Sequence, residues 1–211
     1  DLHRRRHSFP TRRSSDLPVL EVLRNKRMWV MSAIYFSMAM SLYGVSFWLP
    51  TLIKGMGVTD NLSIGLLSAI PWFAGAVAML LFGRSADRYK ERRWHVVIPM
   101  LMAATGLSLS VLLASNVYLS FIALILACMG IVSAIPLFWS LPTSFLVGAG
   151  AAAGIAAINS IANLAGFVAP YLVGWLKQIT QSTDSGMYML AVVLLIGAAI
   201  TLSIPAKLVN R

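Results

Sequence analysis

GRSADRYKERR, residues 83–93, is the stretch on which the fold turns. It carries five of the chain's seventeen Lys and Arg residues and lies between two long apolar runs. LLSAIPWFAGAVAMLLF (66–82) precedes it and HVVIPMLMAATGLSLSVLL (95–113) follows it. Each run is close to the ~20 residues that carry a helix across a hydrocarbon core. A charged knot between two such spans fixes which side of a membrane each end faces.

Composition agrees with that reading. Of 211 residues, 58% are apolar and 11% charged, with a mean hydropathy of +0.78; soluble domains carry about 25% charged residues. A net charge of +10 on a soluble surface would suggest nucleic acid. Here the cations cluster in the short gaps between apolar runs, where topology determinants sit, so no nucleic-acid partner is expected. Cys128 is the one cysteine, which excludes an internal disulfide and a cysteine metal site.

Residues 1–17, DLHRRRHSFPTRRSSDL, are Arg- and Ser-rich and unlike the rest. HSFPTRRSSDL resembles a translated sequencing adapter, so a non-native leader is expected. A polybasic arm on anionic lipid or a genuine loop are the alternatives. PVLEVLRNKR (18–27) is a short amphipathic lead-in. A bundle of six spans then occupies 28–206, at about 28–53, 64–82, 95–114, 118–145, 151–176 and 187–204, with a tail at 207–211. The fourth span carries Pro136 and Pro142, and the tract VGAGAAAG (147–154) turns into the fifth.

Charge by side sets the orientation. With the start inside, the inner segments hold Arg24, Lys26, Arg27, the five cations of the knot, Lys207 and Arg211, against Lys54 and Lys177 outside. Both termini are therefore expected on the cytoplasmic face. Six spans with both ends on one side divide as three plus three, as an inverted repeat does. The fold expected is an all-α membrane protein.

Gly83-x-x-x-Asp87-Arg88-x-x-x-Arg92-Arg93 matches, position for position, the cytoplasmic loop signature of the major facilitator superfamily. YGVSFWLPTLIKGMG (43–57), PLFWSLPTSFL (136–146) and NSIANLAGFVAPYLVGW (159–175) resemble its anion:cation symporter branch, with permeases for tartrate, phthalate and hydroxyphenylacetate most similar. The resemblance covers about Pro18–Arg211. It implies helices seven to twelve of a twelve-helix transporter in a bacterial inner membrane, with a six-helix N-terminal half as partner. It also implies proton-coupled uptake of a small carboxylate and no cofactor; the alternatives are half of another facilitator, for sugars or drugs, or a non-transporting six-helix membrane protein. The coupling residues are expected in that other half.

The knot has a physical reading of its own. Gly83 lets another helix approach, and Asp87, one turn on, can accept hydrogen bonds at a helix N-terminus, where partial positive charge lies. The tract Gly148-Ala149-Gly150 begins such a helix. Pairing of Asp87 with Arg88 or Arg92 in solvent is the bland alternative. The resemblance implies a latch closing the cytoplasmic side, to which Arg88, Arg92 and Arg93 contribute as topology anchors and headgroup contacts.

No Asp, Glu, Lys or Arg lies inside a span, although intramembrane ionisable groups usually carry protons. The polar groups left are candidates for substrate. Asn159 and Asn163 share a helical face, and an amide in hydrocarbon needs a partner; an interhelical bond would serve as well as a substrate. Tyr35 and Tyr43, eight residues apart, are cavity or gate residues, or buried tyrosines. Trp139 and Ser140 lie between two prolines, and Trp139 suits an apolar or aromatic substrate body or an interface anchor. His95 is placed at headgroup level beside the knot. An intramembrane enzyme would need a nucleophile–base pair or metal ligands at depth, and the spans offer none, so no enzyme and no metal site is expected.

Overall fold

The computed structural model describes residues 24–144 and 149–209. The leader, most of the lead-in and Phe145–Gly148 lie outside them. The described chain is helical: α1 (Lys26–Gly55), α2 (Asn61–Tyr89), α3 (Arg93–Leu112), α4 (Val117–Phe138), a 3-10 turn at Pro142–Ser144, α5 (Ala149–Asn163), α6 (Ala165–Thr180), α7 (Asp184–Ser203) and α8 (Ala206–Val209). Six stretches are long and apolar enough to cross a membrane; α4 with its 3-10 turn forms the fourth, and α5 with α6 the fifth.

Polar side chains start these helices. Asn25 Oδ1 accepts from Arg27 N at 3.0 Å, and Asn116 Oδ1 accepts from Tyr118 N and Leu119 N, which satisfies donors that a helix start leaves open. Asp60 does the same for α2: its carboxylate accepts from Ser63 N and Oγ, both at 2.8 Å. Those bonds, the backbone one foremost, hold its pKa below the ordinary carboxylate value. The stabilisation is present above the ordinary value and is lost as pH falls through the depressed one.

The repeat is visible in the packing. In the order of the chain, the most apolar windows of the six spans are 56%, 22% and 50% buried, then 56%, 22% and 44%. The first span packs on the fifth and sixth, and the fourth packs on the second and third, while the third and sixth pack on each other. Exchanging spans 1–3 for 4–6 leaves this set of neighbours unchanged. Three spans per unit invert direction from one unit to the next.

The exchange extends to single residues. Among the described residues, the two non-glycine residues with positive φ are Lys90 (52°) and Gln181 (57°), the C-caps of α2 and α6. These helices end the second and fifth spans. A side chain in this left-handed region costs about 1 kcal/mol. Gln181→Gly is thus expected to raise stability by about 1 kcal/mol, seen as a higher unfolding midpoint in detergent. No rise would mean that the bond from Gln181 Nε2 to Gln178 O (2.7 Å) offsets the strain.

Along the α3–α4 hairpin, glycines bring backbone against backbone. A Cβ built on Gly106 would lie 2.5 Å from Ala127 N and 2.7 Å from Ala123 O. One on Gly130 would meet Pro99 O and Ala103 N. The equivalent α1–α7 seam has its own two glycines, Gly44 and Gly197, but there the neighbours are side chains: Leu190 for the first, Ser37 and Met100 for the second.

Two helices depart from the expected spans. α2 runs on to Tyr89, so the first half of the knot is helix, not loop. Lys and Arg near a helix C-terminus favour its dipole, and nothing in GRSADRY breaks a helix. The fifth span is divided at Leu164, where Leu164 N bonds Ile161 O at 3.2 Å in a tightened turn.

Candidate functional site

α1 and α5 together present a stripe of partly exposed polar side chains. On α5 the exposed residues Ala152, Ala156, Asn159 and Asn163 recur at the spacing of one helical face. α1 adds Tyr35 and Tyr43, both half-buried, with Ser46 and Pro50 exposed beyond them. Tyr43 Oη donates to Asn163 Oδ1 at 2.8 Å, joining α1 to α5 across 120 residues. The bond turns the Asn163 oxygen inward and leaves its NH2 as a pair of donors. Asn159 lies one turn earlier and is exposed.

Some 12 Å further along α1, at 1.5 Å per residue, Tyr35 meets the end of α4. Its ring stacks on Phe138 (centroids 4.8 Å apart, 8° between planes) and meets Trp139 edge-on at 4.9 Å. Phe138 is fully buried, whereas Tyr35 and Trp139 are half-buried. The α1 stripe thus links an amide–hydroxyl pair at one point to an aromatic cluster at another. The two points straddle the middle of the first span. Together they can donate hydrogen bonds to oxygens and cover an apolar body.

Ser140 is not part of this face. It lines a cleft of about 590 Å³ at the knot end, together with Gly83, Asp87, Lys90 and Arg92. Its Oγ donates to Leu137 O, and its carbonyl accepts from Arg92 Nη1 at 3.3 Å. A Cβ on Gly83 would meet nothing within 4 Å, so among the described residues the space it leaves is unfilled. Asp87 is exposed and makes no ion pair with a described residue. Gly148, the start of the tract expected to receive it, lies outside the described residues.

The arginines of the knot do something the sequence reading missed. Arg93 Nη1 donates to Leu202 O (3.4 Å) and Ile204 O (3.0 Å), capping the end of α7, while Arg92 reaches the carbonyl that follows α4. Two consecutive guanidinium groups therefore hold the ends of the fourth and sixth spans, where carbonyls lack partners and the dipole is negative. Arg88 is exposed. His95 is more enclosed than expected. Ser85 Oγ lies 2.9 Å from its Nε2, Glu91 Oε2 lies 3.7 Å from its Nδ1, and Tyr89 stacks over it at 6.4 Å. Glu91 Oε2 also accepts from Trp94 N at 2.7 Å. This cluster clasps the turn from α2 to α3; the four-residue spacing of Glu91 and His95 was the signal available for it.

At the opposite, far end, Trp48 Nε1 donates to Pro170 O at 3.4 Å and the Lys177 amine lies 4.9 Å from its ring centroid. Trp29, Trp94 and Trp175 are exposed, in keeping with interfacial positions.

The chain matches the sequence profile of the Major Facilitator Superfamily over residues 2–170. It is 38% identical over 187 residues to the putative metabolite transport protein NicT of Pseudomonas putida, covering 89% of this chain and 43% of that protein. It is 42% identical to a putative tartrate transporter of Agrobacterium vitis (87% and 40% covered). A quinolone resistance transporter of Acinetobacter baumannii is 40% identical (90% and 43%). The chain thus spans about two fifths of the length of these relatives.

Proposed function

The chain belongs to the major facilitator superfamily, and from that premise we propose that it forms the C-terminal six-helix half of a secondary active transporter for small organic anions. Tartrate-like or aromatic hydroxy acids are the substrates of this reading, taken up with a proton. Both chain ends and the knot face the cytoplasm of a bacterial inner membrane. Two six-helix bundles would rock about a site near the midplane.

The Tyr43–Asn163 pair on the open polar face is the observation that carries this reading. An amide and a phenol facing hydrocarbon would be costly, so this face is for another protein surface or a polar ligand. Tyr35, Trp139 and Asn159 complete the substrate-binding set, while Ser140 belongs with the knot. The N-terminal half supplies the charged groups that meet the carboxylate and the proton. Radiolabelled uptake tests this directly. A full-length transporter containing this half takes up tartrate or phthalate and stops when the proton gradient is collapsed; the chain alone takes up neither. Uptake by the chain alone would sink the half-transporter reading.

In this scheme the cleft beside Gly83 is a latch. Asp87 closes on a helix N-terminus when the knot side shuts, Arg92 and Arg93 hold the neighbouring helix ends in place, and Arg88 anchors the knot at the headgroups. A carboxylate at a helix start contributes about 0.3–1 kcal/mol. Asp87→Asn is accordingly expected to slow uptake some two- to fivefold without moving the unfolding midpoint. An equal loss of stability would make Asp87 structural.

A drug facilitator is the second reading, favoured by the ring cluster of Tyr35, Phe138 and Trp139. Quinolone movement without any response to carboxylates would select it.

A further inference from the structure

At the knot end, the start of α1, the end of α7 and the short α8 enclose a groove of about 220 Å³. Its floor is apolar, built from Val30, Met31, Ile204 and Leu208, and Lys26 and Arg27 stand at its rim. Both cations are exposed. Lys207, on α8, is a third exposed cation beside it. Among the described residues the lining contains no acidic side chain.

The local backbone is arranged to match. Helix α7 ends here, and its last carbonyls would repel an anion. Arg93 donates to Leu202 O and Ile204 O, so that negative end is already answered from behind the groove. α8 is tied down by Ser144 Oγ, which donates to Leu208 O at 3.2 Å. The floor is therefore fixed and the rim is positive. Trp29, exposed two residues after Arg27 in the chain, is a residue type suited to the headgroup level of a bilayer.

We propose that this groove binds one anionic phospholipid. The phosphate lies between Lys26 and Arg27, and the first part of an acyl chain covers Val30, Met31, Ile204 and Leu208. A soluble anion would use the cations but leave the floor exposed, and a zwitterionic lipid would fill the floor but bring its own cation to the rim. Only a lipid with net negative charge satisfies both. Basic pockets between membrane helices select such headgroups on this principle. The site is separate from the open polar face and holds whatever that face transports.

Native mass spectrometry of the purified chain tests it. The chain is equilibrated with equimolar phosphatidylglycerol and phosphatidylcholine of matched acyl chains. One phosphatidylglycerol is expected to be retained with about tenfold preference. Lys26→Gln with Arg27→Gln should bring the preference to within about twofold of parity. Arg84→Gln, an exposed cation elsewhere at the knot end, should leave it unchanged. Leu208→Trp, which fills the floor and keeps every charge, should abolish retention. Equal retention of both lipids overturns the proposal. So does a loss with Arg84→Gln as large as with the rim pair, since that would be diffuse surface charge. Displacement by glycerol phosphate as readily as by the lipid would make the site one for a soluble phosphate, and the proposal would fall.

Discussion

Gly130→Ala is expected to destabilise the bundle by about 2–3 kcal/mol, near the upper range for forcing extra atoms into a packed interior. The added methyl would meet Pro99 O and Ala103 N, which are backbone atoms and have no rotamer to change. Relief requires α3 and α4 to move apart, and that strips contacts along the whole hairpin seam of Ala103, Gly106, Ala123 and Ala127. Gly106→Ala should behave alike, its Cβ lying 2.5 Å from Ala127 N. Gly44→Ala is the control. Its Cβ would lie 2.6 Å from Leu190 Cδ1, the mobile end of a side chain, so a cost below about 1 kcal/mol is expected. Unfolding midpoints of the three variants in one detergent decide the matter. Equal costs at Gly44 and Gly130 would mean that the α3–α4 seam is no tighter than its counterpart.

These glycines also show where the sequence was legible. Ala123-x-x-x-Ala127-x-x-Gly130 is a small-residue stripe of the kind that brings membrane helices together, yet it lies in an apolar run whose only obvious message is length. The six spans were readable because hydrocarbon thickness imposes one length on all of them. Their neighbours were not, because lipid-facing and buried residues are equally apolar. The end of α2 was misplaced for the opposite reason: charges in GRSADRY look like loop, but a helix emerging from hydrocarbon accepts them freely.

The polar face was legible residue by residue and not as an arrangement. Asn163 and Tyr43 each stood out as a polar group in an apolar run, while their bond spans 120 residues and leaves no local trace. Ser140 and Trp139 are adjacent in sequence and were read together. The chain leaves its helix after Phe138, which sends Trp139 toward Tyr35 and Ser140 toward the knot. Arg92 and Arg93 were read as charges on a surface because the carbonyls they cap belong to helices far along the chain.

Asn163→Ala is expected to lower uptake by the full-length transporter at least tenfold, which is about 1.4 kcal/mol of lost binding in the transition state. Tyr43→Phe removes the hydroxyl that orients the same amide, so its loss should be several-fold and should not add to that of Asn163→Ala. Once the amide is gone, the phenol has nothing left to position. A double-mutant cycle then gives a coupling of about 1 kcal/mol or more. Magnitude separates this from a role in holding α1 to α5. Interhelical hydrogen bonds in membranes are worth about 0.6 kcal/mol on average, so as structural glue the pair would shift the unfolding midpoint slightly and leave uptake by the folded fraction intact. Uptake per folded molecule is therefore the quantity to measure. A tenfold fall with an unchanged midpoint places Asn163 on the substrate. A small fall that tracks the midpoint makes the bond a clamp between helices, and the transport site would then have to be sought toward Tyr35 and Trp139.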